Sequence, residues 1–344
     1  MSKQRLLPLA LASLIAVALT AIGFTASGAA APQSTKQAAF RAALISDVGR
    51  FNDKGFNQNQ LTGLKLAKSK LKVTTATAES TSDKDYVPNF TTFAARGFNI
   101  VIGAGFLLGD AEKQVADQFP RVKFAITDVD VTAAPFNGRQ TPNIMGSQFS
   151  VEQSSYLVGC LGALMAKKAG GKMISGVGGV PIPPVKQFFA GYIPGAKKCV
   201  RGINVKIDYS NTFTEQDKCK ALALNQIAAG SKVVYNVAGP CGFGTLSAAK
   251  EKKVWGIGVD VDQSYLGPHI LTSELKRVDL WVYRVIRAAK AGKFKGGTNM
   301  LFTLKNGGVG VGKISKKVPK AYIAKMNALK KQIIAGKIKI PKST

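Results

Sequence analysis

The sequence predicts an α/β protein built as two doubly wound lobes, each a mostly parallel sheet between layers of helix. From Phe40 onward one rhythm repeats: a short apolar run, a turn of Gly, Asp or Asn, then a segment with apolar residues at helical spacing. Such alternation is the pattern of strands laid parallel by helical crossovers. Small and acidic residues collect where the apolar runs end, as in Ser46-Asp47, Gly103-Ala104-Gly105, Thr127-Asp128, Gly178-Gly179, Ala238-Gly239 and Val259-Asp260. Open parallel sheets carry their ligand sites at those strand ends. So many strands would make one unusually wide sheet, and two smaller sheets fit better.

In chain order the predicted strands are 41–46, 72–76, 99–103, 122–128, 143–148, 173–177, 204–209, 233–237 and 254–259. Several are nearly continuous apolar runs, as strands covered on both faces should be. Helical spacing fills the gaps over 56–71, 110–119, 151–169, 218–229 and 278–291. The rhythm restarts at 143–152, which marks the first passage between lobes; further passages are expected at 265–270 and 302–311. The first lobe is therefore read as 40–147 plus about 268–302, and the second as 148–267 plus about 303–344. The second ends in Ile323, Met326, Leu329, Ile333 and Ile334, set among ten lysines from Lys313 to Lys342 and no acid. That is a basic amphipathic helix packed through its apolar stripe.

Ahead of the first strand, Lys3 and Arg5 precede an apolar stretch over 6–24 and the small residues 26–31. This order predicts a cleaved secretory signal over 1–31. A retained anchor is the rival, since the stretch nears the roughly 20 apolar residues a spanning helix needs, but the small residues favour cleavage, between Gly28 and Ala31. No cysteine there offers a lipid attachment point, so the expected location is the periplasm or the cell-envelope exterior. The formal charge of +29 suggests contact with nucleic acid, anionic lipid or acidic polymer. Export makes nucleic acid the weakest of these, and no nucleic-acid partner is expected.

Cys160, Cys199, Cys219 and Cys241 are an even set in an oxidising compartment. Three pairings are open. Cys199 closes one predicted helix and Cys219 opens the next, which favours Cys199 with Cys219 and leaves Cys160 with Cys241. None has C-x-x-C spacing, so redox or zinc chemistry is not indicated.

Enzymatic signatures are weak. His269 is the only histidine, no G-x-S-x-G elbow accompanies it, and no Walker motif occurs. Gly103, Gly105 and Gly109, followed by Asp128 and Asp130, imitate a dinucleotide fingerprint, but the spacing is G-x-G-x-x-x-G and the motif follows the third strand rather than the first. Neither catalysis nor a cofactor or metal is expected.

Three turns remain. Asp47 to Gln58 is a long polar loop that delivers Phe56 to a helix; its plainer role is capping, with Asn52 or Asp53 satisfying helix amides. Gly178 to Tyr192 supplies glycine, proline and aromatics in the other lobe. Gly256 to Gln263 puts Asp260 and Asp262 at a strand end, with Thr272 to Arg277 following. Facing aromatics can sandwich a flat heterocycle, carboxylates can accept from paired hydroxyls, and a lysine can donate.

On Asp53-Lys54-Gly55-Phe56-Asn57, Pro88-Asn89-Phe90, Gln153-Ser154-Ser155-Tyr156-Leu157, Gly258-Val259-Asp260-Val261-Asp262-Gln263 and Leu271-Thr272-Ser273 with Lys276-Arg277-Val278-Asp279, the chain resembles the basic membrane protein family of nucleoside-binding ABC-transporter solute-binding proteins. The resemblance implies a type I periplasmic-binding fold with three hinge crossings, a monomer that closes on its ligand, and an ABC permease as partner. It implies Phe56 and Phe188 as the base sandwich, with Phe189 and Tyr192 as competitors for the second position. Asp47, Asn52 and Asp128 would face the base edge, and Gly239, Asp260 and Lys276 the ribose. The alternatives are a sugar or another small solute as ligand, or a sensing or adhesive envelope protein.

Overall fold

The computed structural model describes residues 39–343; the expected signal segment, 1–31, lies outside them. In chain order the first half runs β1 (Arg41–Ser46), α1 (Phe56–Leu71), β2 (Thr74–Ala78), α2 (Tyr86–Ala95), β3 (Ile100–Ala104), α3 (Gly109–Gln118), β4 (Lys123–Thr127) and β5 (Ile144–Phe149). It continues with α4 (Val151–Lys168), β6 (Met173–Gly178), α5 (Pro183–Cys199), β7 (Asn204–Tyr209), α6 (Gln216–Ala228), β8 (Val233–Val237), α7 (Gly242–Glu251), β9 (Trp255–Gly258) and β10 (Ile270–Lys276). The last elements are α8 (Val278–Lys290), β11 (Asn299–Phe302), β12 (Val309–Val311) and α9 (Lys320–Ile334).

The strands form two six-stranded sheets, ordered β11-β5-β4-β3-β1-β2 and β12-β10-β9-β8-β6-β7. Every pairing is parallel except β10 with β12. The two-lobed α/β architecture read from the sequence is what forms. Each lobe repeats one winding order, with its second strand at an edge and its first strand inside it. β3, whose sequence is IVIGA, and β8, apolar but for Asn236, are buried along their whole length, as coverage on both faces requires.

One lobe boundary differs from the sequence reading. The stretch 268–302 was assigned to the first lobe, yet Ile270–Lys276 pairs with β9 and extends the second sheet. The second crossing thus comes after Lys276, not at 265–270. The turn at 264–267, with Gly267 in a left-handed conformation, only returns the chain for one more parallel strand. Crossings after Phe149 and between β11 and β12 complete the hinge. Across it a single apolar core joins α1 and α8 of the first lobe to α4, α5 and α9 of the second, through Phe149, Trp281 and Phe302.

The helix layers decide the disulfides. Cys160 pairs with Cys199 and Cys219 with Cys241, correcting the expectation of Cys199 with Cys219 and Cys160 with Cys241. Double winding puts α4 and α5 on one face of the second sheet and α6 and α7 on the other. Cys199 and Cys219 therefore face away from each other across the sheet, although only β7 separates them in sequence. The α4–α5 contact depends on glycine: a Cβ at Gly159, Gly191 or Gly195 would meet backbone of the facing helix at 2.3, 2.0 and 2.1 Å. That close approach brings Cys160 and Cys199 to a Cα separation of 5.2 Å, within disulfide reach.

Candidate functional site

Both sheets point the carboxyl ends of their strands at one interlobe cleft. Its walls include Asp47, Asp53, Phe56, Asn57, Gly105 and Asp128 from the first lobe. The second lobe adds Phe188, Phe213, Gly239, Asp260 and Lys276, among others. Seven of the eight residues proposed from the sequence meet here, and Asn52 does not. Asn52 is exposed on the outer side of its loop, while the cleft position is taken by Asn57, immediately after Phe56.

The first wall is a carboxylate and amide lattice. Asp53 precedes α1 and accepts from the backbone N–H groups of Gly55, Asn57 and Gln58 at 2.9, 2.8 and 2.9 Å. Helix amides left open at an N-terminus are satisfied in this way, and the capping aims Phe56 into the cleft. The Asn57 amide donates to Asp47 at 2.7 Å and to Asp53 at 3.3 Å; its own carbonyl oxygen is buried without a partner. Burial is the main force raising the Asp47 pKa to about 6, opposed by the N–H of Gly49 and by Asn57. Gly105 has φ +132°, and a Cβ there would sit 3.2 Å from the Phe56 ring. In the stretch that imitates a dinucleotide motif, Gly105 thus serves close approach to an aromatic, and Gly103 makes room for Glu112 and Ile126.

Asp128 and Asp260 occupy equivalent places at the ends of β4 and β9, both in left-handed backbone at φ +67° and +64°. Aspartate tolerates this conformation better than most residues. Thr127, just before Asp128, is pinned by hydrogen bonds to Gln60 on α1 (2.7 Å) and Trp281 on α8 (3.1 Å). Lys276, at the end of β10, crosses the cleft to Asp128 at 2.5 Å, and both side chains are nearly inaccessible, 3% and 8% exposed. Its ammonium lies 5.0 Å from the centroid of Phe56, 5.2 Å from Phe149 and 5.5 Å from Phe188, within cation–π range of all three. Burial raises the Asp260 pKa to about 7; Lys276 pulls it down, and Asp128 and Asp53 push it up. Beneath them Glu274 accepts from the Ser154 hydroxyl at 2.5 Å, and burial holds its carboxyl well above the usual range.

Of the three aromatics in contention on α5, only Phe188 reaches the cleft. Phe189 and Tyr192 are fully buried in the second lobe, and the Tyr192 hydroxyl donates to the Ser175 carbonyl. Gly239 lines the cleft with φ +54°. Phe213, in the loop after β7, was missed; the strand-end rule points at that loop, but β7 ends in Tyr209-Ser210-Asn211, without a glycine or an aspartate just past the strand as at the other ends. His269 sits at the opposite end of β10 from Lys276, away from the cleft. Burial lowers its pKa.

A cleft between two like-wound lobes, lined by opposed aromatics and carboxylates, is suited to capturing a small polar molecule with a flat apolar part. Residues 40–344 match the family described as ABC transporter substrate-binding protein, PnrA-like. The chain belongs to that family. Among its relatives, the ABC transporter nucleoside-binding protein BmpA of Lactococcus lactis is 32% identical, over 98% of this chain and 99% of its own length. The CD4+ T-cell-stimulating antigen of Listeria monocytogenes is 31% identical with the same coverage. Basic membrane protein A1 of Borrelia garinii is 31% identical over 88% of each chain. Among solved structures, an ABC transporter solute-binding protein from Aeropyrum pernix K1 superposes with TM-score 0.79 at 23% identity, covering 89% of this chain and 94% of that one. As a PnrA-like substrate-binding protein, the chain has a small-molecule ligand and a membrane permease as its working partners, and it acts outside the cytoplasm. Among the described residues no helix is long and apolar enough to cross a membrane.

Proposed function

We propose that this substrate-binding protein captures a purine nucleoside by hinge closure and delivers it, as a monomer released from its signal segment, to an ABC permease. The observation that carries the reading is the pair of rings, Phe56 from the first lobe and Phe188 from the second, brought within 5.0 and 5.5 Å of one Lys276 ammonium. Two rings converging from opposite lobes suit a flat heterocycle, which stacks on each. In this reading Asp47, Asn57 and Asp128 meet the polar edge of the base. Asp260 accepts from the ribose hydroxyls while Lys276 and the Gly239 backbone complete that end. The cavity of about 80 Å3 is too small for a nucleoside, so the lobes part to admit one and Lys276 swings away from the rings toward the sugar.

Calorimetry with guanosine, adenosine, inosine and a panel of sugars tests this. At least one purine nucleoside is expected to bind at about 1 µM or tighter; a protein that binds only sugars overturns the nucleoside reading. Chromatography of the same incubations is expected to return intact nucleoside, and release of free base would overturn the binding role.

A further inference from the structure

The positive charge has a place in the fold. No acidic residue occurs between Glu152 and Asp208, and none follows Asp279. In the second lobe these stretches supply α4 beyond its first turn, α5 and α9, which pack together on one face of the sheet. The opposite face, α6 and α7, has a separate small core and is charge-balanced: Lys218 pairs with Glu215, and Lys220 and Lys252 with Glu251. Among the described residues no ion pair involves a lysine of α4, α5 or α9.

Most lysines of this face are exposed, among them Lys168, Lys197, Lys325 and Lys331. The Lys325 ammonium donates to the Cys199 carbonyl at 3.5 Å, which joins α9 to the end of α5. Because α4 and α5 end where the strands of the sheet begin, their terminal lysines lie at the pole of the lobe away from the cleft. Cations at helix C-termini also suit the helix dipole, but α9 carries lysines along its length, which the dipole does not explain.

We propose that the α4–α5–α9 face docks on an anionic lipid surface. Three features select lipid over other polyanions. The cations of the three helices are all lysines, compact hydrated charges suited to a diffuse field, whereas bidentate reading of particular phosphates is the work of arginine. No exposed large aromatic lies on the face to stack on bases. The apolar stripe of α9 is buried in the lobe, but Ile334, one of only three exposed large hydrophobics among the described residues, lies on α9 amid the lysines, where a single apolar side chain can enter the headgroup boundary. The cleft stays open while this pole is engaged.

Sedimentation of the purified protein with phosphatidylcholine vesicles, with and without phosphatidylglycerol, tests the proposal. Binding is expected only to the anionic vesicles and at least ~10-fold weaker in ~0.5 M than in ~0.1 M salt, because screening shortens the field. Binding to neutral vesicles would report apolar insertion and overturn the proposal, as would failure to bind either kind. The quadruple variant Lys168→Gln, Lys197→Gln, Lys325→Gln, Lys331→Gln should lose ~10-fold or more. Lys84→Gln, Lys218→Gln, Lys220→Gln, Lys252→Gln, with the same change in net charge, should lose less than ~3-fold; equal losses would assign binding to net charge and overturn the face. Ile334→Ser should weaken vesicle binding and leave polyphosphate binding unchanged. A protein that binds polyphosphate but not anionic vesicles overturns the choice of lipid.

Discussion

Asp260 is buried with only the Lys276 ammonium nearby to favour its charge, so its pKa near 7 makes it an expense when ionised. A carboxyl raised in the folded state contributes stability below its unfolded pKa and loses it as pH rises through the folded one. Between about pH 4 and 7 the protein should therefore lose stability from this residue. Asp260→Asn is expected to flatten that slope and raise Tm at pH 8 by ~2 °C or more, read by scanning calorimetry at a series of pH values. The same variant should bind nucleoside worse, since an amide replaces an ionised acceptor. Truncating either ring, Phe56→Ala or Phe188→Ala, should cost about 1–3 kcal/mol of binding, measured by calorimetry. Asp47, Asp128 and Asp260 stood out because each lies just past an apolar run where a ligand site is expected, and Phe56 because a polar turn delivers it to a helix; the family resemblance supplied their roles. Residue identity could not separate Asn52 from Asn57: both lie in one polar loop, and which amide turns inward depends on how Asp53 caps α1.

At the scale of elements, the contact between α4 and α5 controls the second lobe. Gly191 lies against the Glu152 backbone, where a Cβ would stand 2.0 Å from the carbonyl oxygen. Gly191→Ala should force the helices apart, at a cost of about 1–3 kcal/mol, seen as a fall in Tm. Replacing Cys160 and Cys199 by alanine removes a crosslink spanning 39 residues and should cost about 2–4 kcal/mol. Non-reducing peptide mapping is expected to find Cys160 with Cys199 and Cys219 with Cys241. Strands β1 to β9 and helices such as α1, α4 and α8 were legible because period and turn residues are local; α2, α7 and the last three strands were not among the predicted elements. β10 was not among the predicted strands and fell in the stretch given to the first lobe; its place in the second sheet is set by pairing with β9. The amphipathic series in α9 was read correctly for Met326, Leu329 and Ile333, which are buried, but Ile334 is 38% exposed.

Across the whole molecule, Lys276 holds the closed arrangement by bridging β10 of the second lobe to Asp128 of the first. Lys276→Met should leave Asp128 and Asp260 buried beside each other without a cation. The lobes relieve that by parting, so the penalty should fall near ~3 kcal/mol, the low end for a broken buried pair. Small-angle scattering should show a larger radius of gyration for the variant than for the parent, both free of ligand. Saturating nucleoside should restore compactness to the parent's value only if ligand contacts outweigh the lost bridge. The sequence by itself determined that the chain would wind two parallel sheets and gather acids and aromatics at their strand ends, because hydrophobic period, turn chemistry and strand polarity are written residue by residue. Only the tertiary structure decided which cysteines pair, which sheet receives β10, which asparagine enters the cleft and where the positive charge collects. The asparagine depends on how Asp53 caps α1; the rest depend on which face of a sheet each helix covers and which strand pairs with which, and contacts between segments far apart in the chain fix those.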